Sequence, residues 1–150
     1  MEVSDPISSI LSSKKANAIW HISPDATVFE AIQQMAEKNV GALLVLDGER
    51  LAGIVSERDY TRDVILKDRA SKETAVREIM TTDVICVKED VTIEICLRLM
   101  TEKRIRHLPI VHSDGVRGVV SIGDLVRYVI AQQKAMIEQL EGYISGGYPG

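Results

Sequence analysis

Short apolar runs typical of strands alternate with helix-like spacing of apolar residues along the first half of this 150-residue chain. A short extended run, AIWHIS, precedes a stretch whose apolar positions recur every three or four residues, which is typical of one face of a helix. Two further apolar runs, ALLVL and LAGIVS, flank Asp47-Gly48, a dipeptide that favours a hairpin turn. A second helix is expected to begin near Glu57, so the pattern predicts the order β-α-β-β-α. The apolar positions of the first helix are Val28, Ala31, Ile32, Met35 and Ala36.

The second half of the chain repeats this order at a constant offset. GIVSERDY at residues 53–60 maps onto GVVSIGDL at residues 118–125, and no gap is needed between residues 19–65 and residues 84–130. Identical residues occur throughout these two aligned ranges, which indicates two copies of one unit of about 50 residues. In the second copy the pattern comprises VICVK, a helix with Ile93, Cys96, Leu97 and Met100 on one face, a hairpin at Ser113-Asp114-Gly115 and a helix from Ile122.

The repeat also predicts the domain organisation. One β-α-β-β-α unit cannot cover both faces of a three-stranded sheet. We therefore expect an α/β (α+β) fold in which two repeats pack sheet to sheet with pseudo-two-fold symmetry. The expected parts are an N-terminal segment over residues 1–18 with a short helix at about 6–16, a first repeat over 19–68, a polar linker over 69–83, a second repeat with an extended C-terminal helix over 84–141, and a flexible tail over 142–150.

Composition narrows the class of protein. A formal net charge of −4 and a pI near 5.4 give no basic excess for binding nucleic acid. The start, MEVSDP, lacks the basic and apolar regions of a secretory signal, and no apolar run approaches the roughly 20 residues of a membrane span. Cys86 and Cys96 do not form a disulfide framework. These features predict a cytoplasmic protein that does not enter a membrane.

Ser-x-x-Asp follows the last strand of each copy, as Ser56 to Asp59 and Ser121 to Asp124. One interpretation is structural: this spacing forms a near capping box, in which Ser and Asp each bond the other's backbone amide. The other is functional, because a strand that ends in a helix N-terminus leaves amides that attract phosphate. The two interpretations are compatible, since a cap can turn toward a ligand.

The second copy has basic residues near this motif. If the hairpin turn is centred at Ser113-Asp114, residue 107 lies opposite residue 120, and Arg106 and His107 then lie beside Ser121 and Asp124. Arginine binds phosphate bidentately and histidine donates to it. The alternative is that RIRH only ends a helix, where basic residues favour the dipole.

The first copy lacks this basic pair. Gly41 and Ala42 stand where the second copy has Arg106 and His107. Arg58, within SERD, is the nearby cation that could compensate. We therefore expect the first copy to bind a different ligand, or to be occupied less than the second.

These residues resemble a known family. A tandem β-α-β-β-α with Gly-apolar-apolar-Ser-x-x-Asp in each copy, and RIRHLPIV before GVVSIGDL, resembles the CBS-domain pair, or Bateman module. GIVSERDY, REIMTTDVICV and EGYISGGY further resemble stand-alone two-CBS proteins of bacteria and their plant organellar relatives. The resemblance implies a regulatory module that binds AMP, ADP, ATP, NAD(H) or S-adenosylmethionine in clefts between the repeats and dimerises into a flat disc.

The resemblance also implies roles for particular residues. It assigns the two aspartates to ribose and the two serines to the neighbourhood of phosphate, and it favours phosphate for the basic pair. Thr81 matches a position that often contacts ligand, although a plain loop role is an equal alternative. Trp20 and its counterpart Ile85 either line an adenine pocket or simply pack.

Other candidate chemistry is weaker. His21 is expected to be a strand residue, His112 a solvated turn residue, and the two cysteines core thiols without zinc spacing. No local Ser/His/Asp or Cys/His set indicates a nucleophile, so neither a catalytic residue nor a catalytic cofactor is expected.

The function predicted from the sequence is regulatory. We expect an adenine-nucleotide sensor that acts on an unknown client protein and forms a homodimer through a helical stripe containing Val129, Ile130 and Ile137. The alternative is a partner-binding module with degenerate clefts, in which the long C-terminal helix carries the function.

Overall fold

A computed structural model describes residues 4–13, 19–113 and 115–147 of the chain. Its backbone divides into two compact units. The first unit runs from residue 19 to residue 85 and includes residues 113 and 115–117. The second contains residues 4–13, 86–112 and 118–147. Each unit carries most of one copy of the repeat.

The first unit is built on a three-stranded sheet with the order β1-β2-β3. Strand β1 runs parallel to β2, and β2 runs antiparallel to β3. A π-helical turn at Thr61–Ile65 follows α3 directly, and a 3-10 turn lies at Val76–Glu78. The elements are β1 at His21–Ile22, α2 at Val28–Lys38, β2 at Ala42–Asp47, β3 at Arg50–Ser56 and α3 at Glu57–Tyr60.

The β2–β3 hairpin turns at a glycine. Asp47 pairs with Arg50, so the two loop residues are Gly48 and Glu49. Gly48 has a φ of 65°, a left-handed conformation that glycine adopts without strain. A bulge between Val45 and Leu46 shifts the pairing of β2 with β3 by one residue on the side of the bulge away from the turn.

The core of the first unit lies between the sheet and α2. The helix begins at Thr27, whose side-chain oxygen accepts from the Glu30 amide at 3.1 Å, and it ends at Asn39 in the left-handed conformation. The apolar stripe predicted for α2 is buried except for Ile32, which is half-buried, and Ala36, which is exposed. The buried residues of this core include Ile22, Val28, Ala31, Met35, Leu43, Val45, Val55, Val64, Val76 and Ile79.

The second unit repeats the order, with its sheet in the order β4-β5-β6. Helix α4 begins at Thr92 and ends at Arg104, which is left-handed like Asn39 in the first unit. The elements are α1 at Ser8–Ser13, β4 at Val87–Lys88, α4 at Ile93–Lys103, β5 at His107–His112, β6 at Gly115–Ser121 and α5 at Ile122–Gly147. The predicted α/β fold class, with two three-stranded sheets and helices, is confirmed.

The N-terminal segment belongs to the second unit. Its backbone bonds the loop before α4: the Ile7 amide donates to the Val91 carbonyl at 2.7 Å, and the Ile93 amide donates to the Asp5 carbonyl at 2.9 Å. The Tyr128 hydroxyl on α5 donates to the Asp5 carboxylate at 2.6 Å. The apolar side chains that fill this core include Ile7, Ile10, Val87, Ile93, Cys96, Met100, Leu108, Ile110, Val120 and Leu125.

Some predicted boundaries need correction or lie outside the described residues. The extended C-terminal helix does not end at about Glu141 but continues to Gly147, so the expected tail over 142–150 is helical through residue 147. The rest of that tail and the C-terminal part of the expected helix at 6–16 lie outside the described residues, as does Asp114 of the predicted turn. The residues of α5 from 133 to 142 are all exposed.

Candidate functional site

The junction between β3 and α3 forms a complete capping box. The Asp59 amide donates to Ser56 Oγ at 3.2 Å, and the Ser56 amide donates to Asp59 Oδ2 at 2.9 Å. The Ser56 hydroxyl also lies 3.1 Å from the same carboxylate oxygen. The structural interpretation of Ser-x-x-Asp is therefore correct for the first unit, and it holds both side chains at the helix N-terminus.

Burial changes the acidity of this carboxyl group. Desolvation raises the pKa of Asp59 above its ordinary value, and the hydrogen bonds from Ser56 partly oppose that effect. The charge of Asp63 raises the pKa further, whereas the charge of Arg62 lowers it. The Asp59 carboxylate thus lies in an environment where ionisation costs free energy. A hydrogen-bond donor placed against it would favour its charged form.

The junction between β6 and α5 repeats the capping bonds. The Ser121 amide donates to Asp124 Oδ2 at 2.8 Å, and the Asp124 amide donates to Ser121 Oγ at 3.1 Å. The other carboxylate oxygen accepts from Arg127 at 2.7 Å. The Asp124 side chain is 13% exposed and that of Arg127 is 73% exposed, so a buried carboxylate is neutralised by a cation that reaches it from the surface.

The glycine that precedes each junction admits a close neighbour. A Cβ atom at Gly53 would lie 2.6 Å from the Thr81 carbonyl oxygen, and one at Gly118 would lie 2.7 Å from Leu11 Cδ2. The segment that precedes the second repeat thus packs on β3, and helix α1 packs on β6. The glycine at the same position in both copies was a sequence signal of such an approach, and no role was predicted for it.

Backbone pairing brings Thr81 to the first junction. The Ile54 amide donates to the Thr81 carbonyl at 3.0 Å, and the Thr81 amide donates back to Ile54 at 2.9 Å. Thr81 therefore lies beside the strand that ends at Ser56, with its own side chain exposed. Arg58, the second residue of α3, is exposed at the same junction.

Arg106 and His107 lie beside the second junction, as expected. The predicted pairing register between β5 and β6 is wrong by one residue. The Ile122 amide donates to the Arg106 carbonyl at 2.9 Å, which sets residue 107 opposite residue 121 rather than residue 120. The first unit shows the reason: Ala42 pairs with Ser56 because a bulge shifts the hairpin register. Arg106 is exposed and His107 is half-buried.

In the first unit the equivalent backbone bond joins the Glu57 amide to the Gly41 carbonyl at 3.0 Å. Without the basic pair, an open groove of about 540 Å³ lies between α2 and α3. Its lining is mainly apolar and uncharged apart from Glu57. The lining residues are Ile32, Met35, Ala36, Asn39, Val40, Gly41, Glu57, Tyr60 and Thr61.

The two residues proposed for an adenine pocket lie in the first unit. Trp20 is 37% exposed, and Lys38 Nζ lies 4.5 Å from the centre of its ring. Ile85 is half-buried. The ring of Trp20 therefore already has a cationic neighbour on one face.

The histidines and cysteines follow structural roles. His112 ends β5 with its Nδ1 atom 2.9 Å from Glu89, so it is exposed but paired rather than simply solvated. Burial raises the pKa of the Cys96 thiol to about 11 and raises that of Cys86, so neither behaves as an activated nucleophile. Within the described residues, no group of three or more potential ligands gathers to hold a metal ion.

A protein-family model described as the CBS domain matches residues 9–65 and again residues 76–131. The chain belongs to the CBS-domain family. The mitochondrial CBS domain-containing protein CBSX3 of Arabidopsis thaliana is 40% identical to it over 154 residues, covering 97% of this chain and 74% of that protein.

Other CBS-domain proteins agree in sequence and in fold. The structure of a putative signal-transduction protein with CBS domains from Burkholderia ambifaria is 47% identical, with a TM-score of 0.83, over 85% of this chain and 96% of the other. The CBS domain-containing protein YhcV of Bacillus subtilis is 32% identical over 114 residues, covering 76% of this chain and 81% of that protein. The chain is thus similar over most of its length to CBS-domain proteins, one of which is named a signal-transduction protein. Among the described residues, no helix is long and apolar enough to span a membrane.

Proposed function

We propose that this CBS-domain chain is a regulatory module that senses adenine nucleotides and signals through a change of conformation or assembly. The ligand classes are AMP, ADP, ATP and NAD(H), bound by the residues at the two strand–helix junctions. The observation that carries the proposal is the repeated capping box, which holds Asp59 and Asp124 in the same geometry in a family of regulatory domains.

The chemistry of each junction suits a nucleoside. A carboxylate accepts from both hydroxyls of a ribose, and the serine hydroxyl can rotate to donate to a phosphate oxygen. Neither role needs the capping bonds to Asp59 or Asp124 to break, because each bond uses only part of the acceptor capacity of the carboxylate. Capping and binding therefore fit the same residues.

The basic pair supports phosphate recognition at the second junction. His107 is the first residue of β5, Arg106 directly precedes it, and the Arg106 carbonyl accepts from the amide of the first residue of α5. A charge-assisted bond from arginine to phosphate is about twice as strong as a neutral one. At the first junction Arg58 and Thr81 are the proposed counterparts, and adenine and ribose contacts, with Trp20 and Ile85 as candidates, carry more of the affinity.

Regulation, rather than catalysis, fits the family and the chemistry of the site. Ligand binding shifts a conformational equilibrium only as far as its affinity differs between the two states. We propose a homodimer as the signalling form, a client protein as its target, and the cytoplasm as its location. The second candidate, a partner-binding module without a nucleotide, is favoured by the exposed apolar side chains of α5, which include Ile130, Ile137 and Leu140.

Ligand-dependent thermal stability tests the two candidates. The chain is titrated with AMP, ATP, NAD and adenosine, with GMP as the matched control for the base. A site for adenine nucleotides should stabilise the fold by about 2.7 kcal/mol at a hundredfold excess over the dissociation constant. If no adenosine compound raises the melting temperature more than GMP does, nucleotide sensing is wrong and the partner-binding function is favoured.

A further inference from the structure

The two oxygens of the Asp124 carboxylate have different partners. Oδ2 accepts from the Ser121 amide at 2.8 Å, which is the capping bond, and Oδ1 accepts from Arg127 at 2.7 Å. The Asp124 side chain is mostly buried, whereas that of Arg127 is largely exposed. Arg127 therefore covers the carboxylate from the solvent side, which is the side from which a ligand approaches.

A ribose would need the oxygen that Arg127 holds. In the proposed function the two hydroxyls of the sugar donate to Asp124, and one carboxylate oxygen already serves the cap. Only a small part of the Asp124 side chain reaches solvent, and the guanidinium lies against it. The ribose hydroxyls and Arg127 therefore compete for Oδ1, while the capping bond stays intact.

A glycine lets the guanidinium lie over the first turn of α5. A Cβ atom at Gly123 would lie 3.3 Å from Arg127 Nη1 and 3.8 Å from Nη2, so a side chain at this position would crowd the arginine. The first copy has Arg58 at the equivalent position. This placement of an arginine over a glycine is thus a property of the second junction.

The guanidinium also lies beside the serine proposed for phosphate. The same Cβ position at Gly123 is 3.6 Å from Ser121 Oγ. A cation at the start of a helix is unfavourable, because that end of the helix dipole is positive, and Asp124 offsets this cost. Once a ribose takes the carboxylate, the guanidinium needs another anion. A phosphate beside Ser121 supplies one at a short distance.

We propose that Arg127 sets the preference of the second junction for nucleotides over nucleosides. Its guanidinium holds Asp124 until a ribose binds, and it then moves from that carboxylate toward the phosphate of the ligand. A nucleoside has no phosphate, so it competes with Arg127 without offering the guanidinium a new partner. This role rests on the proposed function, and it adds a residue that acts through the carboxylate and the phosphate together.

Loss of Arg127 should therefore change the two ligands in opposite directions. Adenosine should bind about threefold more tightly, because an exposed arginine–carboxylate pair contributes only modestly to stability and no longer has to be disrupted. AMP gains the same factor but loses a charge-assisted bond that contributes tenfold or more, so it should bind about threefold more weakly. The preference for AMP over adenosine should fall about tenfold.

Titration calorimetry with adenosine and AMP tests this role in the full chain. Arg127→Met removes the charge and keeps an apolar stem of similar reach. It is made in an Asp59→Ala chain, so that the second junction alone retains its carboxylate. Lys134→Met removes the same charge from an exposed position two turns farther along α5, and it should leave both affinities unchanged.

Arg127→Lys provides a second variant. Lysine keeps the positive charge but lacks the planar fork of arginine, so its preference for AMP should lie between those of the Asp59→Ala parent and Arg127→Met. The melting temperature of each variant without ligand shows whether it folds. A purely structural role of Arg127 would lower this temperature and weaken both ligands alike.

The outcomes separate this role from nucleotide sensing itself. If Arg127→Met changes adenosine and AMP in the same direction, or changes neither, the role of Arg127 is wrong while the proposed function stands. AMP binding that disappears in the Asp59→Ala parent would also overturn it, because the second junction would then not be the site. If the wild-type chain binds neither ligand, the proposed function is wrong and this role with it.

Discussion

The two strand–helix junctions share one motif but differ in their electrostatics. Both hold Ser-x-x-Asp as a capping box, with amide–carboxylate distances of 2.9 and 2.8 Å. At the second junction, Arg127 bonds the free oxygen of Asp124. At the first junction, the dominant effect on Asp59 is desolvation, which raises its pKa. The same local sequence thus creates one carboxylate that is costly to ionise and one that is neutralised by a cation.

Helix geometry accounts for this difference. Arg62 occupies the position equivalent to Arg127, three residues after the aspartate. In a regular α-helix residues three apart share a face, so Arg127 reaches Asp124. In the first unit a π-helical turn begins at Thr61, and its wider spacing does not keep residues three apart on one face as an α-helix does. A ligand at the second junction must therefore share its carboxylate with a resident arginine.

The largest expected effect concerns the glycines that precede the two junctions. Gly53→Ala would place a Cβ 2.6 Å from the Thr81 carbonyl, a backbone atom held by two hydrogen bonds to Ile54. Gly118→Ala would meet only the end of the Leu11 side chain, which can rotate. We expect losses of about 3 kcal/mol for Gly53→Ala and about 1 kcal/mol for Gly118→Ala, measured by urea denaturation. Equal losses would mean that the two contacts are equally rigid.

The second prediction asks whether the shared motif only caps. Asp124→Ala should lower the stability of the ligand-free protein by about 1 kcal/mol and remove the stabilisation of about 2.7 kcal/mol that AMP gives at a hundredfold excess. Asp59→Ala should cost a similar amount without ligand but retain most of the AMP effect. Differential scanning fluorimetry with and without AMP measures both variants. If Asp124→Ala retains the full AMP stabilisation, its carboxylate serves as a cap alone.

The repeat and the order of its elements could be predicted because both follow from the spacing of apolar residues, and the same spacing occurs in both copies. The placement of Arg106 and His107 beside the second junction followed from the hairpin, but the register was wrong by one residue. A bulge between Val45 and Leu46 in the first copy causes such a shift, and no local residue type marks it. Sequence spacing gives the turn, whereas the bulge depends on how the two strands twist against the core.

Features that join distant segments could not be predicted in the same way. The close approach of Thr81 to Gly53 depends on where the linker lies, which apolar spacing does not determine. Helical spacing was enough to predict the bond from Arg127 to Asp124. Arg62 has the same spacing from Asp59, but a π-helical turn begins at Thr61 in the first unit, and the sequence pattern did not predict that turn. The junction residues were therefore found, while their differing charge environments were not.

The third prediction sharpens the contrast in phosphate recognition. Arg106→Ala should weaken AMP binding about tenfold or more, because a charge-assisted hydrogen bond contributes roughly 1.5–3 kcal/mol, and it should leave adenosine nearly unchanged. Arg98→Ala, on the exposed side of α4, is the control for loss of one positive charge. Titration calorimetry with both ligands compares the variants. Equal weakening of AMP and adenosine would assign Arg106 to the fold rather than to phosphate.

The smallest expected effect is the pH dependence that the buried carboxylate contributes. Because the pKa of Asp59 is raised in the folded protein, the folded state holds that proton more tightly than the unfolded state does. The contribution is present below the ordinary value of 3.8 and is lost as pH rises through the raised folded pKa. Asp59→Asn removes this titration, so the stability of the wild type should fall relative to the variant as pH increases across that window. Urea denaturation from about pH 3.5 to about pH 6 measures the difference. A constant difference would show that the Ser56 hydrogen bonds cancel the effect of burial, and a change in the opposite sense would show that they outweigh it.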